Sequence, residues 1–223
     1  MRQIIAFLSK AKRYNKSLTL VIVLLITACS PEPRVLFTVT DTDFSKGYRM
    51  HEQQVTIDDM ALFHGHLCDG LVVGALAMEQ VMKQMYPNEA IDRTNLRVVS
   101  APSPCLTDVA IYLTGGRYQF NTFYVDDNPG GIYIVQRIDD GRTFRVGMKP
   151  GVKPSEIDSL GALAVQRKLS PEELDYLKAL EDDFTEFLLQ SDAVELFDVE
   201  ALPDFQWQPH LRGDFLKTDV LNK

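Results

Sequence analysis

His64-Gly65-His66-Leu67-Cys68-Asp69-Gly70 runs directly into Leu71-Val72-Val73-Gly74-Ala75-Leu76-Ala77-Met78, and the architecture follows from what this segment becomes. The apolar run predicts a buried helix from Gly70 to about Met85, which must stop before Pro87 because proline cannot continue it. Its Gly74, Ala75 and Ala77 let another element pack closely. Just ahead of the helix, two imidazoles and a thiol fall within five residues. In an extended loop alternate side chains share a side, so His64, His66 and Cys68 would project one way, with Gly65 leaving room for close approach. Imidazole and thiolate are the donors that zinc and other borderline-soft divalent metals favour. The spacing is tighter than that of a structural zinc finger. Cys68 would sit at a helix N-terminus, where the dipole lowers a thiol pKa. The competing reading is a pair of hydrogen-bonded loop histidines beside a buried cysteine.

On the C-terminal side, Leu96 to Ser100 is a short β-branched run that Ala101-Pro102-Ser103-Pro104 breaks. Cys105 follows, with Asp108 further along a predicted helix to Thr114. This repeats the setting of Cys68, and the two places could converge on one site. Asp108 could then accept from an imidazole N–H, act as a ligand or carry a proton; otherwise it is a surface carboxylate favoured by a helix start. Gly115-Gly116-Arg117 reads as a loop and Tyr118 to Val125 as a strand. Ile132 to Ile138 and Thr143 to Val146 flank the turn-prone Asp139-Asp140-Gly141-Arg142, which predicts a hairpin. A helix is expected over Ser155 to Gln166. Ser170-Pro171-Glu172-Glu173 combines cap, N1 proline and N3 glutamate, opening an amphipathic helix with Leu177, Leu180, Phe184, Phe187 and Leu188 on one face. The tail around Phe205, Trp207 and His210 carries no clear pattern. The expected class is α+β, a single domain with a small, mainly antiparallel sheet and packed helices.

Toward the N-terminus, Thr56 and Asp59 form a capping-box pattern that starts a short helix through Met60, Leu62 and Phe63 and delivers the chain to His64. Val35 to Val39 is a plausible strand. Residues 1–28 carry Arg2, Lys10, Lys12, Arg13 and Lys16, no acid, and the apolar run Leu18 to Ala28, the pattern of a signal peptide. The run closes as Thr27-Ala28-Cys29-Ser30 and resembles the bacterial lipoprotein signal, which implies acylation of Cys29, palmitate included, and stable membrane anchoring through more than one chain. Ser30 rather than aspartate after the cysteine points to the periplasmic face of the outer membrane in a Gram-negative cell. Five of the 23 basic residues and none of the 31 acidic ones lie in this segment, so cleavage would leave 18 against 31. Such an acidic surface repels phosphate backbones and argues against nucleic acid as a partner. Residues 29–50 then read as a lipidated end and tether, 51–150 as the domain proper, and 151–223 as a helical extension packed on it. With Cys29 committed to lipid, Cys68 and Cys105 remain, and outside the cytoplasm such a pair can also form a disulfide.

At His64 to Gly70 and again at Cys105-Leu106-Thr107-Asp108 with Thr114-Gly115, the chain resembles the formylmethanofuran dehydrogenase E-subunit family, whose hallmark is a His-Gly-His-x-Cys-Pro-Gly segment opening an apolar helix. The similarity runs from about Met60 to Val146 and leaves out the helices from Ser155 onward. It implies an α+β domain with a metal-associated His/Cys groove; some members add a zinc ribbon, for which this chain has no Cys-x-x-Cys. Asp69 replaces the motif proline, Gly116 stands where many members have a cysteine, and Tyr118-Gln119-Phe120-Asn121 replaces a lysine-glycine pattern. The family name records operon context, and an anchored lipoprotein is in the wrong compartment for the methanogenic pathway.

The expected function is binding of a divalent metal, zinc first, through His66 and Cys68 with His64 and Cys105 as further ligands, and with Cys68 and Asp108 as candidate catalytic groups. Metal-dependent chemistry on a small-molecule substrate is one outcome. A non-enzymatic module passing metal or cofactor to a metal-handling protein is another, and a thiol redox pair of Cys68 and Cys105 a third. A purely structural Cys68–Cys105 disulfide is the plainest. The sequence leaves the oligomeric state open.

Overall fold

Helix formation begins where the capping box predicts it. In the computed structural model, which describes residues 34–42 and 51–208, the Thr56 side chain accepts from Asp59 N–H at 3.2 Å while the Thr56 N–H donates to Asp59 Oδ2 at 2.8 Å. Helix α1 (Ile57–His64) follows, and Gly65 ends it in the left-handed region at φ 104°, its N–H donating to Ala61 O at 2.8 Å. No atom lies within 4 Å of where a Cβ on Gly65 would be, so this glycine supplies a helix-terminating backbone conformation rather than the close approach expected of it. Helix α2 (Asp69–Met85) is buried along nearly its whole length; Leu71, Val72, Ala75, Leu76, Ala77 and Met78 have no exposed surface. Each buried leucine contributes about 1.5–3 kcal/mol of transfer free energy, so α2 is the element around which the core condenses.

Two sheets flank it. Strands β1 (Val35–Thr40), β2 (Gln53–Thr56) and β3 (Ile91–Asp92) form the first in the order β2-β1-β3, antiparallel between β1 and β2 and parallel between β1 and β3. The second has the order β5-β4-β6-β7-β8, built from β4 (Leu96–Ser100), β5 (Phe123–Val125), β6 (Tyr133–Arg137), β7 (Thr143–Met148) and β8 (Phe197–Ala201). All its pairings are antiparallel except β4 with β5. Alternation fixes the register: Leu96, Val98, Tyr133, Val135 and Val146 join α2 in the main core, while Val99, Tyr124 and Ile134 face the other way under Leu202, Phe205 and Trp207. The α+β class is as expected, and the tail that carried no pattern proves to cover a sheet face as far as residue 208. Its His210 lies outside the described residues, as do the signal segment, Cys29 and most of the tether.

Helix α3 (Pro104–Thr114) packs along α2. Helix α4 (Ser155–Val165), α5 (Pro171–Gln190) and the short α6 (Ala193–Leu196) complete the fold, α5 opening on the expected box with Ser170 N–H donating to Glu173 Oε2 at 2.7 Å. Leu177, Phe184 and Leu188 of α5 are buried, whereas Phe187 is half exposed. One expected strand is corrected: Tyr118–Phe120 is a 3₁₀ turn, Asn121 is left-handed at φ 53°, and only Phe123–Val125 pairs. Here Arg117 N–H donates to Thr122 Oγ1 at 2.9 Å, a local bond that competes with ladder formation and overrides the aromatic strand propensity. No helix among the described residues is long and apolar enough to cross a membrane.

Candidate metal centre

The site forms where the end of α1, the start of α2 and the start of α3 meet. His64 is the last residue of α1, Cys68 is the N-cap of α2 and Cys105 lies in the first turn of α3. One donor atom each from His64, His66 and Cys68 lies within 4.8 Å of the other two. The expected cluster is therefore assembled, although the tight glycine turn at 65, not an extended strand-like loop, brings the side chains together. The imidazoles of His64 and His66 lie 4.7 Å apart between ring centroids. Cys105 adjoins the cluster through Cys68, with the two sulfurs 3.5 Å apart as free thiols.

His64 is the most constrained donor. Its Nδ1 lies 2.7 Å from Asp108 Oδ2 on α3, and its side chain is only 7 % exposed. An ionised carboxylate only accepts, so Nδ1 carries a proton, and in the neutral ring the lone pair is on Nε2, 3.8 Å from Cys68 Sγ. Asp108 Oδ2 is thus placed to accept the imidazole N–H, an arrangement that orients histidines where they ligate metals. The same bond is the main reason the His64 pKa is raised above its usual 6.5; burial opposes the shift and the Cys68 sulfur adds to it.

The two thiols divide the acidity in the opposite sense to the expectation from helix position. Cys68 is pushed well up, first by the hydrogen bond it donates to Cys105 and then by burial. Cys105 is drawn down to about 7, mainly because it accepts that bond, with burial opposing and Ser103 assisting. The dipole of α2 is outweighed by a neighbouring sulfur at contact distance.

The donor set fits a zinc-type ion. With Zn–S near 2.3 Å and Zn–N near 2.0 Å, two thiolates on one tetrahedral ion stand about 3.8 Å apart, and a thiolate and an imidazole nitrogen about 3.5 Å. The observed separations of 3.5 Å for Cys68 to Cys105 and 3.8 Å for Cys68 to His64 Nε2 lie close to both values. His66 is exposed and can close the remaining distance by side-chain rotation. Beside the cluster, Phe63 contacts Tyr112 at 5.5 Å between centroids, and Leu62, Phe63 and Leu67 present apolar surface. Asp69, in the position of the motif proline, begins α2 where the dipole favours an acid.

Fold and site together define a small α+β domain with a His/Cys cluster capable of holding one ion. The chain belongs to the family described as FmdE, molybdenum formylmethanofuran dehydrogenase operon, whose profile matches residues 63–198. That match extends past Val146 through α4, α5 and α6, elements that the motif resemblance left out. No curated protein matches the chain.

Proposed function

We propose that this protein is a lipid-anchored, extracytoplasmic member of the family that binds a divalent metal, zinc, through His64, His66 and Cys68, with Cys105 as the adjoining fourth donor. The observation that carries the reading is the Asp108–His64 bond of 2.7 Å, which fixes the tautomer and leaves Nε2 facing the Cys68 sulfur. Nothing in the packing of a core needs an imidazole held in that way. Zinc bound with one position open supplies a water of pKa near 7 and polarises carbonyl groups. In this setting Asp108 holds His64 in place, Cys68 binds at the start of α2, and exposed His66 is the donor able to make way for a small-molecule substrate. Anchoring rests on the Thr27-Ala28-Cys29 pattern and on the periplasmic address that Ser30 suggests. Handing the metal to a partner protein is the non-enzymatic form of the same proposal. A thiol redox pair is favoured by one specific observation, the 3.5 Å separation of free sulfurs with Cys105 acidic near neutrality.

Elemental analysis of the full chain purified without chelator decides between them. The metal reading expects about one zinc per chain, lost in Cys68→Ser and His64→Ala. A chain without metal even after reconstitution, whose two thiols appear only after reduction, would replace it with the redox reading. Loss of the lipid mass in Cys29→Ser tests the anchor.

A further inference from the structure

Two glycines one turn apart on α2, Gly70 and Gly74, face α3, and each occupies a place where a side chain would collide with the element that carries Cys105 or with what fastens it. A Cβ on Gly70 would stand 3.0 Å from both Cβ and Sγ of Cys105. A Cβ on Gly74 would stand 2.6 Å from the Tyr133 hydroxyl oxygen and 3.2 Å from Leu106 Cδ2. Neither glycine is needed for its backbone conformation, since both lie inside a regular helix, where alanine is the better residue. Their value here is the space they leave. Tyr133, on β6 and fully buried, reaches through the gap beside Gly74 and donates its O–H to Leu106 O at 2.7 Å, on the residue next to Cys105.

We propose that Gly70, Gly74 and Tyr133 are positioning residues that set the distance between the Cys68 and Cys105 sulfurs, the glycines by letting α3 approach and the tyrosine by fastening its first turn. They act through α3. The inference deepens the metal-site reading, on which it rests in part, because it decides whether one ion meets one thiolate or two. It also stands without any metal, because the same separation governs how readily the two thiols join.

The test uses Gly70→Ala and Tyr133→Phe in the full chain, with Gly161→Ala on α4 as the control, since a Cβ there meets nothing within 4 Å. In chelator-treated protein the readout is the equilibrium with glutathione disulfide. The protein dithiol loses two electrons and two protons to form the Cys68–Cys105 disulfide while glutathione disulfide is reduced to two thiols. A displacement of a few tenths of an ångström should lower this equilibrium constant about tenfold in Gly70→Ala, and by a smaller factor in Tyr133→Phe, with Gly161→Ala unchanged. In cobalt-loaded protein the sulfur-to-cobalt charge-transfer band of Gly70→Ala should fall to about half that of the parent, one thiolate for two, while still one cobalt binds per chain. An unchanged disulfide equilibrium in Gly70→Ala, with circular dichroism showing a native fold, overturns the positioning role. A parent chain that binds no cobalt overturns the metal-site reading alone, since the glutathione equilibrium is measured without metal.

Discussion

Replacing Asp108 separates an orienting carboxylate from a merely nearby one. Asp108→Asn keeps an oxygen able to accept from His64 Nδ1–H at the 2.7 Å position but removes the charge that raises the imidazole's basicity. A hydrogen bond to a charged group contributes about 1.5–3 kcal/mol, against about 1 kcal/mol for a neutral one. Asp108 retains 32 % of its side-chain exposure, so solvent screens part of this difference and the loss belongs at the lower end. The expected cost to metal binding is about 0.5 kcal/mol, roughly twofold in affinity. Asp108→Ala removes the acceptor altogether, leaves His64 without its fixed tautomer, and should cost up to about 100-fold. Competition against a chromogenic zinc chelator measures both, with circular dichroism as the control for folding. The order parent, asparagine, alanine is the expected result. Equal affinities in all three chains would refute the orienting role, because a histidine that ligates through Nε2 cannot be indifferent to its Nδ1 partner.

Three further outcomes follow from the same geometry. Because the folded His64 pKa lies above its unfolded value, the stability it gains from Asp108 is present in full below about pH 6.5 and is lost as pH rises through the folded value. Denaturant midpoints of the metal-free chain should thus show a gap between parent and Asp108→Asn that is largest near pH 6 and narrows as pH rises through the folded value. Gly65→Ala places a side chain at φ 104° and should destabilise by about 1–2 kcal/mol in urea titration while weakening metal binding, since the turn it enforces aims His66. Leu76→Ala, deep in α2, should cost about 2–5 kcal/mol of unfolding free energy with the relative affinity for zinc retained in the folded fraction.

What could be read in advance was local. The capping boxes at Thr56 and Ser170, the span of α2 and the hairpin over Tyr133 to Met148 depend on residues a few positions apart, and short-range chemistry decides them. The strands β2, β3 and β8 escaped because each is held by a partner elsewhere in the chain; β8 pairs with β7 across α4, α5 and α6, and β3 has two residues. The error at Tyr118 has a different origin, a local Arg117–Thr122 bond defeating an aromatic propensity. At the site, spacing gathered His64, His66 and Cys68, and the repeated setting of a broken strand before a helix start brought in Cys105 and Asp108. The role of Asp108 needed a distance. So did the reversal of thiol acidity, since no spacing rule foretells that Cys68 donates to Cys105 from 3.5 Å. Tyr133 read only as one residue of a strand; its hydroxyl acquires meaning once Gly74 and Leu106 are seen around it.

The metal-binding proposal turns on one ion seated among His64, His66 and Cys68. Anomalous X-ray diffraction across the zinc edge, on crystals of protein purified without chelator, would locate that ion. The expected result is a single peak about 2.0 Å from His64 Nε2 and about 2.3 Å from Cys68 Sγ, with Asp108 still on Nδ1. A peak elsewhere, or no peak and a bond of about 2.05 Å between Cys68 Sγ and Cys105 Sγ, would contradict it.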